Sequence, residues 1–318
     1  MEHKEKVVHF LYIPFTGLGL YNGFRGNRWL KNRIQIFKQF VIPSLLNQTS
    51  KDFVVWCSWR YEEKKNPLVK RFIEEIKLES LQFVHTFNGV CFWDDKYPDR
   101  VARERLLTNL HGSLIDLIDV LGDAKYVLMS IQPSDDCYKG DFVAGIKNVF
   151  EQNKDLQAAG FNKGYICNYA TKEVKEYNPK TNPPFYTIKF PREIFIDPIK
   201  HAEYTSLKHD VGKYKQGTPL PSHEYVKDCL KYGSISERGF MVGVHGENIS
   251  TVFNHPYAGE EVESSILKDF GIADVFPITI HYSMRKRILR MLPHGAQRKL
   301  RYWFGELLWQ RMYEWLRG

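Results

Sequence analysis

The sequence predicts an α/β protein: a doubly wound mixed sheet built in two halves, followed by a C-terminal helical extension. Three observations predict it. Up to about residue 155, short apolar runs alternate with amphipathic helical segments, the pattern of parallel strands joined by crossover helices. After that point the texture turns to hairpins and proline-rich loops. Basic charge is then concentrated at the end: Ser283 to Gly318 holds nine Lys or Arg against two Glu, whereas the other 282 residues hold 36 basic and 35 acidic groups. The expected organisation is 1–255 as one domain, with halves 1–155 and 156–255, and 256–318 as the extension.

Each element follows from local pattern. Val7 to Ile13 is an apolar run that reads as the first strand, followed by a loop with Gly17, Gly19, Gly23 and Gly26. Leu30, Ile34, Phe37, Val41 and Leu45 recur at helical spacing, with Lys31, Asn32, Arg33, Gln35 and Lys38 expected on the polar side. Pro43 should kink or restart that helix, because it lacks an N–H and clashes with the preceding turn. Phe53 to Cys57 reads as the second strand. Pro67 to Ile76 reads as a helix with proline in its first turn, and Leu81 to Phe87 as a third strand. Arg100 to Leu121 is a long amphipathic helix, Tyr126 to Met129 a buried strand, and Asp141 to Glu151 another helix. Gly164 to Tyr169 and Glu173 to Tyr177 suggest a hairpin, Phe185 to Phe195 a further strand, and Gly239 to His245 a last apolar strand. His201 to Ser222 reads as a long polar loop of the kind that is usually functional.

Composition excludes several classes. A body with nearly balanced charge argues against a nucleic-acid-binding face. Five scattered cysteines without CxxC spacing indicate neither a disulfide framework nor a structural zinc site, and suit a reducing, cytoplasmic setting. The apolar run at Val7 to Phe15 contains His9 and has no cleavage-type small residues, so it reads as a strand and not a signal peptide. No apolar stretch is long enough for a transmembrane helix.

The most informative segment is the end of the Tyr126 strand, where Gln132-Pro133-Ser134 leads to adjacent carboxylates, Asp135 and Asp136. Ligands of open α/β sheets bind where such strands end. Neighbouring anions repel each other, and a cation between them and a polyphosphate accounts for their closeness. Pro-Ser-Asp-Asp also suits an ordinary turn.

Further residues sharpen the first reading. Ser44-Leu-Leu-Asn-Gln48-Thr-Ser-Lys-Asp52-Phe53 resembles the helix-to-strand run of nucleotide-sugar-dependent glycosyltransferases with the GT-A fold. The acidic strand end resembles their DxD element. Val242-Gly-Val-His245-Gly-Glu-Asn248-Ile-Ser250 resembles the closing segment of the subgroup named for rhamnosyl transfer. The similarity runs from about Trp29 to Asn254. It implies a GT-A-like sheet with a nucleotide-binding half and an acceptor half, a nucleotide-sugar donor, and a glycan or lipid-linked acceptor. It also implies Mn²⁺ or Mg²⁺ held by Asp135 and His245, with Asp136 supporting the site and Arg103 contacting the nucleotide. Glu224 is the best-placed carboxylate for a general base, with Asp210 in reserve; if the reaction inverts configuration, such a base is needed. For His245, Arg103 and Glu224 the alternatives are a satisfied strand-end histidine, a solvated helix charge and a first-turn helix charge. Two departures stand out: the first Asp of DxD falls on Pro133, and the base-reading Asp at the end of the second strand falls on Ser58. They keep open a catalytically inactive relative that binds nucleotide or glycan.

Met284 to Leu292 and Gln297 to Leu316 read as basic helices rich in Trp and Leu, split at Pro293-His-Gly295. That make-up suits a helix lying on a membrane surface, which would make the protein peripheral on the cytoplasmic face. Docking of the same helix on the domain is the alternative.

Overall fold

The first strand, β1 (Val7–Pro14), is apolar apart from the buried His9, and its middle is covered on both faces. Phe10 and Tyr12 point into one buried cluster, Leu11 and Ile13 into another. In the computed structural model, described at residues 5–16, 26–89, 99–180, 183, 185–205, 226–245 and 253–280, this strand is central to the sheet. Strands β2 (Val54–Arg60), β3 (Phe83–Gly89) and β4 (Tyr126–Ile131) complete a parallel group in the order β3-β2-β1-β4. The chain thus runs outward from β1 to β3, then returns to place β4 on the other side of β1.

Helices cover both faces. On one lie α1 (Gly26–Ile36), α2 (Ile42–Leu46), α3 (Pro67–Ile76) and α5 (Phe142–Gln152), through Trp29, Leu30, Phe72, Phe142 and Ile146. On the other lies α4 (Asp99–Leu121), whose Leu110, Leu114, Leu117 and Leu121 follow helical spacing. A five-residue π-helical turn, Phe37–Val41, joins α1 to α2, and Pro43 sits in the first turn of α2, so the proline restarts the helix as expected.

Beyond β4 the sheet becomes mixed. A short β5 (Cys137–Tyr138) pairs with β9 (Tyr232–Val244), and β8 (Tyr186–Pro191) runs antiparallel to β4. The expected hairpin forms as β6 (Ala158–Asn168) and β7 (Val174–Tyr177), and β9 lies parallel to β6. The result is a ten-stranded, doubly wound mixed sheet, as the sequence predicts.

Several local expectations change. Asn32 and Arg33 are buried in α1 and not on its polar side. The strand expected over Phe185 to Phe195 stops at Pro191, and Arg192–Phe195 forms a helical turn, α6. The start of the expected polar loop belongs to α7 (Pro198–Tyr204), which Asp197 caps by accepting from the Ile199 and Lys200 amides. A short helix, α8 (Val226–Cys229), precedes β9, and β10 (Ala258–Val262) adds to β7. Leu267, Phe270 and Ile272 then pack with Cys137, Tyr169 and Met241 in a third buried cluster. Most of the glycine-rich loop, the remainder of the polar loop and residues 284–318, expected to form basic helices, lie outside the described residues.

Candidate active site

The strand order reverses at β1 and β4, so their carboxyl ends flank a crevice where connections depart in opposite directions. Such a switch point is where open α/β sheets bind ligands. Asp135 and Asp136 sit in the turn that leaves β4 at this point.

That turn is held from four sides. The buried Gln132 amide donates to the Asp136 carbonyl at 2.6 Å. The Tyr169 hydroxyl donates to the Asp135 carbonyl at 3.0 Å, and its ring stacks on Phe40 with centroids 3.7 Å apart. From β9, the Gly243 amide donates to Asp136 Oδ1 at 2.9 Å. From β1, the Tyr12 carbonyl accepts from the Gln132 amide N–H at 2.8 Å. Gly243 is required by this closeness: a Cβ there would fall 2.5 Å from the Asp135 carbonyl oxygen and nearer still to the Tyr169 ring.

The helix-to-strand motif has a structural part in this. Gln48 is buried; its amide N–H groups donate to the Ser44 and Lys139 carbonyls at 3.2 and 2.8 Å, and its Oε1 accepts from the Val143 amide at 3.1 Å. The Thr49 amide donates to the Gly140 carbonyl at 2.7 Å. These bonds tie α2 to the segment just after the acidic turn.

Asp135 and His245, 110 positions apart, meet: His245 Nε2 lies 3.0 Å from Asp135 Oδ2. The same carboxylate oxygen is ion-paired with Arg33 of α1, whose side chain is 6% exposed against 16% for Asp135. The Arg33 guanidinium also lies 5.3 Å from the Trp29 ring centroid. Burial would push the Asp135 carboxyl up, but Arg33, joined by His245, outweighs it and holds the group well below the usual carboxylate range. Asp136 behaves oppositely. Burial and then the Asp135 charge push it well above that range, against the pull of the Gly243 amide.

These assignments decide what the cluster can hold. With Asp135 ionised, the hydrogen bond between the two side chains uses the Nε2 proton of His245, so a metal ion would have to displace that proton and this bond together. A divalent ion on Asp135 Oδ2 would lie within several ångströms of Arg33, where repulsion is about 4 kcal/mol per unit charge at ~4 Å and an effective dielectric of ~20. Among the described residues no group of three or more His, Cys, Asp and Glu side chains is arranged to hold a metal ion. The residues as arranged do not fit Mn²⁺ or Mg²⁺. The cation that pairs with the ionised Asp135 is Arg33.

Ser58, at the end of β2, is fully buried, and its carbonyl accepts from the Thr16 amide at 3.3 Å. The Arg60 amide donates to Thr16 Oγ1 at 3.0 Å, which closes the ends of β1 and β2 on each other. Arg103 falls on α4, with its side chain outside the described residues, as are Asp210 and Glu224 entirely. Sequence reasoning missed Arg33, Gln132, Tyr169 and Gly243. For Arg33 a signal existed: it lies four residues after Trp29 and four before Phe37, in register with the apolar stripe.

No known family matches the sequence, and no curated protein matches it. Among solved structures, S. aureus TarS is 10% identical over 75% of this chain and 36% of its own, with a TM-score of 0.34. This chain therefore spans about a third of the length of TarS. A protein from Desulfovibrio desulfuricans G20, assigned as a nucleotide-diphospho-sugar transferase, is 10% identical over 76% of this chain and 82% of its own, with a TM-score of 0.33. No helix among the described residues is long and apolar enough to cross a membrane.

Proposed function

We propose that this protein transfers a sugar from a nucleotide-sugar donor to a glycan or lipid-linked acceptor. The observation that carries the reading is the Arg33–Asp135–His245 cluster at the carboxyl ends of β1 and β4, where a GT-A-like sheet offers its nucleotide crevice. A charged, rigidly held group at that rim suits a ligand whose leaving part is an anionic diphosphate. In the transfer, the bond from the anomeric carbon to the diphosphate oxygen breaks with its electron pair leaving on the diphosphate. The acceptor hydroxyl oxygen bonds to that carbon and gives its proton to a carboxylate, for which Glu224, with Asp210 in reserve, is assigned from sequence. Whether the sugar is rhamnose is a question for the donor panel.

The test is release of nucleoside diphosphate from UDP-, dTDP- and GDP-sugars by the full chain, with Glu224→Gln alongside. Turnover of one donor class, lowered about 10²- to 10⁴-fold by Glu224→Gln with donor binding retained, supports the reading. Absence of binding to every donor overturns it. Pro133 in place of a DxD aspartate, and the burial of Ser58, favour a second reading, a non-catalytic nucleotide- or glycan-binding relative. Binding to a donor without turnover, with any acceptor glycan supplied, would select it.

A further inference from the structure

We propose that Arg33 is the cation that takes the donor's diphosphate, and that binding of a nucleoside diphosphate to this protein needs no divalent metal ion. This rests on the reading of the β1/β4 rim as a donor site.

Three features of geometry lead there. Arg33 comes from the helix that follows β1, and it reaches the end of β4, so it bridges the crevice at the point where strand connections diverge. Its guanidinium is preset: Asp135 holds it through Nη1, and the Trp29 ring lies 5.3 Å from it. A guanidinium carries five N–H donors in a planar fork, and a carboxylate on one edge leaves the plane oriented for a phosphate oxygen on another. Asp135 is itself fixed, since its Oδ2 takes both Arg33 and His245 Nε2 and its carbonyl takes the Tyr169 hydroxyl. Of the pair, Asp135 is the more exposed, at 16% against 6% for Arg33. A metal ion would have to displace both donors from Oδ2 and then sit beside a buried positive charge. An arginine already held at this rim supplies positive charge toward a departing diphosphate without a bound ion.

The test uses the full chain and titration calorimetry with UDP, dTDP and GDP and with the matching nucleosides, in EDTA and in Mn²⁺. The expected result is one diphosphate bound equally well in both buffers, and a free-Mn²⁺ electron paramagnetic resonance signal that added protein leaves unchanged. Arg33→Lys keeps a cation opposite Asp135 but loses the fork. It should lower affinity for the diphosphate about tenfold while leaving the nucleoside unaffected. A role confined to packing would move diphosphate and nucleoside together, and that result overturns the proposal, as does an unchanged diphosphate affinity. Binding that disappears in EDTA and returns with Mn²⁺ overturns it while the donor site stands. Absence of binding by every diphosphate in both buffers removes the donor site and this proposal together.

Discussion

Replacing Gly243 by alanine tests how the acidic turn is built. The added methyl group has no room: its carbon would lie 2.5 Å from the Asp135 carbonyl oxygen, and the Tyr169 ring blocks the same space. Neither neighbour yields easily. Tyr169 is stacked on Phe40 and bonded to Asp135, and the Asp135 carbonyl belongs to a turn held by Gln132 and by Gly243 itself. Overpacking of a tight core costs about 1–3 kcal/mol, and displacing β9 would also weaken the Gly243 amide bond to Asp136, worth about 1 kcal/mol more. The expected loss is therefore about 2–4 kcal/mol, which lowers the melting temperature by several degrees. Gly145→Ala serves as the opposite case. Gly145 is inside α5, and a Cβ there meets the Phe161 ring tip at 3.4 Å, so the helix should gain about 0.5–1 kcal/mol. Thermal unfolding by circular dichroism reads both. A Gly243→Ala protein as stable as the parent would refute the claim that β9 clamps the Asp135–Asp136 turn.

Two more predictions concern the same turn. Because burial and Asp135 raise the Asp136 carboxyl well above its unfolded value, the stability this group contributes is complete below about pH 4 and is lost as pH rises through the folded value. Asp136→Asn, which keeps an oxygen for the Gly243 amide, should match the parent at acid pH and melt progressively higher than it toward alkaline pH; a variant less stable than the parent at pH 8 would show that Asp136 is charged in the fold. Gln48→Ala strips the hydrogen bonds to Ser44, Lys139 and Val143 from a buried site and should cost about 2–4 kcal/mol in urea unfolding. A change under about 0.5 kcal/mol, the scale of an ordinary surface substitution, would mean that the motif's glutamine does not anchor the segment after the turn.

The parallel half of the fold was legible in the sequence because its strands are buried on both faces and its helices are amphipathic. Pro67 to Ile76 emerged with the expected bounds, and Pro43 restarted its helix where its missing N–H required. The second half was less so. The strand expected to run to Phe195 turns helical after Pro191, and β5, with only Cys137 and Tyr138, exists through its partner β9. A pairing between segments about a hundred residues apart leaves no local period to read. At the site, chemistry-bearing carboxylates and the histidine were visible as residue types at strand ends. Gln132, Tyr169 and Gly243 were not, because their contribution is a carbonyl, amide or ring contact that any sequence window hides.

Arg33 shows the same limit from the other side. An arginine in a helix reads as a solvated charge, and Lys31, Gln35 and Lys38 nearby encourage that reading. Its spacing from Trp29 and Phe37 points inward instead, and an inward arginine needs an anion, since an unpaired buried charge is not tolerated. The acidic pair at the end of β4, in turn, needs a cation. Each requirement is stated by the sequence alone, about a hundred positions apart, and the sheet topology joins them: the helix following β1 and the turn following β4 face one another because β1 and β4 are neighbours. A carboxylate pair at a strand end thus implies a positive charge without saying whether it is a bound ion or a side chain. Deciding between them requires searching apolar helical stripes for the charge that breaks them, as Arg33 does here.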